Sequence, residues 1–218
     1  TKNPTGAVNS IVEFSRRVNS AEEAVDIIHN AFRSFAHARP RPIHIEVPLD
    51  LLEAETDIDD ALLQARPLGK PQPAPVEDVK EAAKILAASK HPIIVAGGGS
   101  LPAAGDLLKL AETLEAPVIT SVNGKGAIPE KHRLSLGADL RLSAAHEFCR
   151  EADAMLIIGS KIGEAELWDG DIHPNGPVIR IDIERAQILT NITPDIELPG
   201  NSKAVVPQLL EALAEEGA

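Results

Sequence analysis

Two short runs in this chain are apolar from end to end and stop against glycine. Pro92-Ile93-Ile94-Val95-Ala96 leads into Gly97-Gly98-Gly99, and Ala154-Met155-Leu156-Ile157-Ile158 leads into Gly159. A strand with one wet face alternates polar and apolar residues; these do not, so both of their faces must be covered, as in parallel sheets. Helical patterns lie between such runs. Val76, Val79, Ala82, Ala83 and Leu86 share one face of a helix over 76–89, and Leu107, Leu110 and Leu114 mark the next. A helix over 143–151 and a last one carrying Val206, Leu209, Leu210 and Leu213 follow the same logic. Further strands are expected at 117–122, 178–183 and 196–198, with a short helix over 184–190. Strands alternating with helices predict an α/β fold: a doubly wound, mainly parallel Rossmann-like sheet of five or six strands with helices on both faces. With no tyrosine, four phenylalanines and one tryptophan, the core must be built from Ala, Val, Ile and Leu.

The first 75 residues read differently. Ser20-Ala21-Glu22-Glu23 is a capping box, and Val25, Ile28, Phe32 and Phe35 then recur at helical spacing, predicting an amphipathic helix over 20–37. Residues 43–47 predict a strand closed by Pro48. Residues 51–60 are acidic, and Pro67, Gly69, Pro71, Pro73 and Pro75 make residues 65–75 a stiff, extended spacer. One helix and one strand are too little to fold alone. The expected organisation is the tail of a preceding domain at 1–57, a linker at 58–75 and an α/β domain at 76–218. The chain opens at Thr1 and reads as beginning inside a domain.

The formal net charge of −12 disfavours nucleic acid and anionic membranes as partners, since both call for a basic face. A single cysteine, Cys149, excludes an internal disulfide and suits a reducing compartment. No apolar run approaches the roughly 20 residues that span a bilayer. A cytoplasmic location is the expectation.

Gly97-Gly98-Gly99-Ser100 stands where a phosphate-binding turn would stand, between a strand and a helix N-terminus. The spacing is not G-x-G-x-x-G, and the next strand ends in Ser121-Val122-Asn123 with no acid for a ribose. A nucleotide site and a plain tight turn both remain open. Asp182 and Glu184 put acids at the carboxyl end of a strand, where a ribose would lie; capping of the following helix by Asp182 is the other reading. Asn123-Gly124-Lys125-Gly126 is too short for a Walker motif, so Lys125 reads as a solvated loop residue. The loop 161–176 holds Glu164, Glu166, Trp168, Asp169, Asp171 and His173, but at no metal-ligand spacing. Trp168 suits packing against a neighbouring domain. Cys149 reads as a buried structural thiol. No nucleophile elbow is present, and no residue is assigned to catalysis or to a metal.

Three stretches, in order, resemble the acetolactate synthase and benzoylformate decarboxylase superfamily of thiamine-diphosphate enzymes. The first is Arg41-Pro42-Ile43-His44-Ile45-Glu46-Val47-Pro48-Leu49-Asp50. The second is Pro92 to Gly99, with Ala116-Pro117-Val118-Ile119-Thr120 and Gly124-Lys125-Gly126-Ala127-Ile128-Pro129-Glu130-Lys131-His132. The third is Ala152 to Gly159, with Val178 to Ile183. The resemblance implies that 1–57 is the C-terminal remnant of a pyrimidine-binding domain and 76–218 the central domain, a scaffold that also lines one wall of the active-site channel.

By that resemblance the intact enzyme would carry thiamine diphosphate and Mg2+ and act on a 2-oxo acid as a decarboxylase or carboligase. The fragment alone would hold neither cofactor and turn nothing over. The family's metal and diphosphate motif begins Gly-Asp-Gly; here Gly105-Asp106 continues to Leu107 and Gly170-Asp171 to Ile172. Where FAD-binding acetolactate synthases have Arg-Phe-Asp-Asp-Arg, this chain has Lys161-Ile162-Gly163-Glu164-Ala165, and Leu136-Gly137 is followed by Ala138-Asp139-Leu140 rather than Met-His-Gly. Both departures count against FAD binding and acetolactate synthesis, and the Gly159-to-Glu164 loop looks more like that of the 2-oxo acid decarboxylases and carboligases. A vestigial ADP or FAD site would involve Gly97, Gly98, Gly99, Ser100, Gly159, Lys161 and Asp182. The expected partners are the remaining domains of a parent chain and further copies in a homo-oligomer. The competing readings are a nucleotide-binding module without catalysis and a free-standing enzyme of another α/β class.

Overall fold

The computed structural model describes residues 2–168 and 170–217, and the chain divides into two compact units, Thr1–Lys70 and Pro71–Ala218.

In the first unit, α1 (Pro4–Val8), β1 (Ser15–Arg17), α2 (Ala21–His37), β2 (His44–Glu46) and α3 (Leu49–Glu53) occur in that order. Strands β1 and β2 pair in parallel, which makes β1-α2-β2 one crossover unit. Ser15 faces His44, with Oγ and Nδ1 2.7 Å apart, and Arg17 faces Glu46, paired at 3.5 Å. The Ser20 hydroxyl accepts the Glu23 N–H at 3.1 Å, as its spacing predicts. The Glu23 carboxylate reaches one residue further back than a capping box requires, to the Asn19 N–H at 2.8 Å.

Helix α2 occupies the predicted stretch, but only part of its apolar stripe is buried. Ile27 and Ala31 are the buried positions, while Ile28, Phe32 and Phe35 are 46%, 58% and 38% exposed. Periodicity finds a stripe; it does not say which stripe faces the unit's own two strands. The short elements α1, β1 and α3 escape sequence reading because three to five residues carry no measurable period.

Residues 58–70 are fastened to α2. They contain a 3-10 turn at Asp60–Leu63, Arg66 pairs with Asp26 at 2.6 Å, and the His37 ring bonds the Leu68 carbonyl. Residues 71–75 belong to the second unit. There Gln72 O accepts the Asn201 N–H at 2.8 Å, Ala74 N–H reaches Gln208 Oε1 at 3.0 Å, and Ala74 is buried.

The second unit runs α4 (Val76–Ala88), β3 (Pro92–Ala96), α5 (Ala104–Leu114), β4 (Val118–Thr120), α6 (Ser143–Glu151), β5 (Ala154–Ile158), β6 (Val178–Asp182), α7 (Arg185–Ile188), β7 (Ile196–Pro199) and α8 (Ser202–Glu216). The five strands form one parallel sheet in the order β4-β3-β5-β6-β7. Every residue of β3, β5 and β6 is buried, as the continuous apolar runs of β3 and β5 require; in β6 the buried set includes Arg180 and Asp182. Residues 134–137 run beside the outer edge of β4 as an incomplete sixth strand. Val118 N–H bonds Leu134 O at 2.7 Å, Leu136 N–H bonds Val118 O at 2.9 Å, and Thr120 N–H bonds Gly137 O at 2.9 Å. An edge that would otherwise expose unpaired backbone is thereby sealed.

One face of the sheet is covered by α4, α5 and α8, which pack on Ile94, Leu156, Ile158, Ile179 and Ile181. The other is covered by α6 and by the irregular crossover 159–177, where Ile162, Leu167 and Ile172 do the work of a helix. A His146 ring nitrogen holds this crossover to α6 through the Glu166 carbonyl at 2.9 Å. Asp169 lies outside the described residues. Among the described residues, no helix is long and apolar enough to cross a membrane.

Candidate functional site at the carboxyl end of the sheet

In an open parallel sheet, ligands sit outside the carboxyl ends of the strands where the strand order reverses. Here that point lies between β3, which pairs on its other side with β4, and β5. The loops that leave these strands are Gly97–Ser100 and Gly159–Gly163.

The two loops press backbone on backbone. Gly97 N–H donates to Ile158 O at 2.9 Å and Gly99 N–H to Gly159 O at 3.0 Å. Ser100 N–H donates to Gly97 O at 3.0 Å, and the buried Ser100 hydroxyl reaches the same carbonyl at 2.7 Å. A Cβ on Gly97 would stand 2.6 Å from Ser160 Cα, and one on Gly159 would stand 2.5 Å from Gly99 Cα. Gly124, after β4, closes on the Ala96 carbonyl in the same way. The N–H groups of Gly97, Gly99 and Ser100 are thus engaged within the protein, and the glycines let three loops meet where side chains would collide.

The turns beyond β5 and β6 are built otherwise. Arg180 points out of the middle of β6 and is 1% exposed. Its Nη1 donates to the carbonyls of Ile188 at 2.8 Å, Thr190 at 2.6 Å and Ile192 at 3.0 Å, and its Nη2 donates to Ser160 O at 2.8 Å. One guanidinium therefore binds the turn after β5 to the segment after α7, satisfying four carbonyls with the planar fork that lysine lacks. From the other side Asn191 Nδ2 donates to Ile162 O at 2.6 Å and to Lys161 O at 3.2 Å. Lys161 itself is exposed. Asp182, at the end of β6, is buried, and its carboxylate accepts the Glu184 N–H at 2.9 Å. That bond makes a local two-residue turn; α7 starts at Arg185 without a side-chain cap.

Gly159 and Asp182 thus lie at the neighbouring ends of β5 and β6, with the exposed Lys161 two residues after Gly159, while Gly97, Gly99 and Ser100 act in the packing between the β3 and β5 loops. Sequence reading passed over Arg180 and Asn191. A lone cation inside an otherwise apolar buried strand was the available signal for Arg180, because a buried charge needs partners. For Asn191 the signal was weaker: an asparagine in a short loop tolerates the left-handed backbone it adopts here.

The other candidates stand apart. Lys125 pairs with Glu130 at 3.2 Å. His173 lies 3.7 Å from Asp171, and among the described residues no three His, Cys, Asp or Glu converge on a metal position. Trp168 is 83% exposed. Cys149 is buried, and burial pushes its thiol up to about 12.

Residues 79–209 match the family model for the central domain of thiamine pyrophosphate enzymes. The chain belongs to this family. A probable 2-ketoarginine decarboxylase of Pseudomonas aeruginosa is 35% identical over 206 residues, which is 94% of this chain and 37% of that protein. The acetolactate synthase isozyme 3 large subunit of Escherichia coli is 29% identical across 98% of this chain and 38% of its own length. Among solved structures, benzoylformate decarboxylase from Polynucleobacter necessarius superposes with a TM-score of 0.73 at 21% identity, over 93% of this chain and 38% of that one. The chain therefore spans little more than a third of the curated relatives it matches. The match to the thiamine pyrophosphate enzyme central domain thus covers the parallel sheet described above.

Proposed function

We propose that this chain serves as the central domain of a thiamine-diphosphate-dependent enzyme that decarboxylates or ligates 2-oxo acids, and that the carboxyl ends of β5 and β6 take the ADP moiety of a nucleotide. The observation that carries the first part is the central-domain match over 79–209, flanked by relatives named as a decarboxylase and an acetolactate synthase. Thiamine diphosphate, when bound, supplies the electron sink for decarboxylation. Neither Gly105-Asp106 nor Gly170-Asp171 continues to a second glycine, so no residue of this chain is assigned to it and no step is routed through it.

The contribution of the chain is then a rigid wall. Buried strands fix the loops at the carboxyl end, and Arg180 holds the β5 and α7 turns together. Asp182 supplies a carboxylate where a ribose would lie, and Lys161 supplies a cation for phosphate. That the N–H groups of Gly97, Gly99 and Ser100 are engaged within the protein supports the β5 side for the phosphates. The exposed Ile28, Phe32 and Phe35 of α2 support burial against further protein, in a homo-oligomer or against other domains.

The test uses the natural polypeptide. An antibody against this chain would capture it from source extract, and the captured protein would be sized and supplied with 2-oxo acids, thiamine diphosphate and Mg2+. The reading expects a mass more than twice the 23.1 kDa of this chain and release of carbon dioxide. A captured polypeptide of 23.1 kDa that releases none would overturn it.

A further inference from the structure

Asparagine precedes glycine twice in this chain, at Asn123-Gly124 and at Asn175-Gly176. A glycine leaves the amide nitrogen that follows an asparagine unshielded by any side chain, so that nitrogen can attack the asparagine amide. By sequence the two pairs are equivalent, and in the fold both asparagines are exposed. Their glycine nitrogens differ. Gly124 is buried, and its N–H donates to the Ser121 carbonyl at 2.9 Å and to the Ser121 hydroxyl at 3.2 Å. The 3-10 turn Val122–Gly124 is held by a further bond from Ala127 N–H to Gly124 O at 3.0 Å, and an added Cβ on Gly124 would stand 2.1 Å from Ala96 O. Gly176 is half-buried in the irregular crossover 159–177. Its N–H donates to Ala152 O at 3.2 Å, the long end of the range for such bonds. Freeing this nitrogen breaks that bond and the 3.1 Å bond from Asn175 N–H to Arg150 O. Local opening is cheapest where few contacts are lost, and a nitrogen still donating its proton is no nucleophile.

We propose that Asn175 is a site of spontaneous deamidation and isoaspartate formation, and that the turn at Gly124 protects Asn123 from the same reaction. The Gly176 nitrogen gives up its proton and bonds to Asn175 Cγ; the Cγ–Nδ2 bond breaks, and Nδ2 leaves with that proton as ammonia. The cyclic imide then takes up a water molecule. Addition at Cγ reopens the ring to aspartate. Addition at the backbone carbonyl leaves the chain running through Cγ as isoaspartate, longer by a carbon. At this place the longer link is disruptive. Gly176 fits so closely that an added Cβ would stand 1.8 Å from Asp153 O, and its N–H and that of Asn175 are both tied to carbonyls around the end of α6. An inserted carbon cannot keep that fit and those bonds, so the isoaspartyl chain is less stable. Aspartate at 175, exposed and with ordinary backbone, is tolerated.

The experiment ages the 218-residue chain in mildly alkaline buffer, both folded and in guanidinium chloride, and follows conversion by peptide mass. Trypsin releases residues 110–125 and 162–180, each with a single asparagine and no glutamine, so the mass gained when an amide becomes an acid is assigned to one residue. In guanidinium chloride the two peptides should convert at similar rates. In the folded chain 162–180 should convert at least about tenfold faster than 110–125. Isoaspartate is read as methyl groups added by an isoaspartyl methyltransferase. Asn175→Gln sets the baseline, because Asp169-Gly170 can rearrange in the same peptide. Aged wild type should take more label than aged Asn175→Gln and melt below it, while fresh Asn175→Asp melts with fresh wild type. Folded chain in which 110–125 converts as fast as 162–180, or in which 162–180 does not convert, would overturn the proposal. So would labelling of aged wild type no greater than that of Asn175→Gln, or equal melting of the two.

Discussion

Replacing Arg180 with methionine keeps most of the side-chain volume and removes every donor. Four carbonyls, those of Ser160, Ile188, Thr190 and Ile192, would then lose a charged partner at once. Hydrogen bonds to charged groups contribute about 1.5–3 kcal/mol each, but four bonds from one group do not add. Removing one side of a buried charged network costs roughly 3–5 kcal/mol. Exchange of a buried ion pair for apolar residues is often neutral because both partners leave together. Here the carbonyls stay behind, so that relief is absent. For a unit of this size a loss of this magnitude lowers Tm by roughly 10 °C. Arg180→Lys should fall between the two, since three donors on a point charge do not span four carbonyls. Calorimetry of wild type and both variants gives the answer, with amide exchange at 188–192 as the local readout. An Arg180→Met chain melting within about 2 °C of wild type would refute the reasoning, because the orphaned carbonyls would then carry no appreciable penalty.

The remaining predictions concern single groups. Burial opposes ionisation of Asp153, but bonds from the Ser89 hydroxyl and the Lys90 and His91 N–H groups, with the His91 charge, hold its carboxyl below the ordinary 3.8. A depressed folded pKa contributes stability above the unfolded value and loses it as pH falls. The urea midpoint gap between wild type and Asp153→Asn should therefore be constant near neutrality and shrink below about pH 4. Cys149, whose thiol is pushed up to about 12 by burial, should resist iodoacetamide at pH 8 in the folded chain and react once urea unfolds it. Glu115 ends α5 at φ +48°, so Glu115→Gly should stabilise by about 0.5 kcal/mol while Glu115→Ala does not. Urea melts of the two variants side by side separate backbone strain from loss of the surface pair with Arg133.

How far the sequence reveals such features depends on what each one needs. Strands β3 and β5 were legible because burial on both faces forces near-unbroken apolar runs that no wet strand carries. The edge-sealing segment 134–137 was read as loop: it is held by backbone bonds to β4, and Leu134-Ser135-Leu136-Gly137 offers no distinguishing pattern. The glycines 97, 99 and 159 were legible as special positions but not in their effect. A glycine that admits a phosphate and a glycine that admits another loop's backbone have the same letter, and only the 2.5–2.8 Å at which an added Cβ would meet the facing Cα atoms distinguishes the two.

The stripe on α2 exposes the sharper limit. Ile28, Phe32 and Phe35 have the composition and spacing of a core face, and within their own unit they lie outside. Apolar periodicity records the surface a helix was selected to cover, whether the cover comes from the same unit or from another body. A two-stranded sheet with one crossover helix is marginal by itself. The stripe is therefore the physical argument behind the proposed association: the first unit would gain stability if those three side chains were covered, and the T-shaped contact of Phe32 with Phe35, centroids 6.1 Å apart, would offer a preformed edge to that cover.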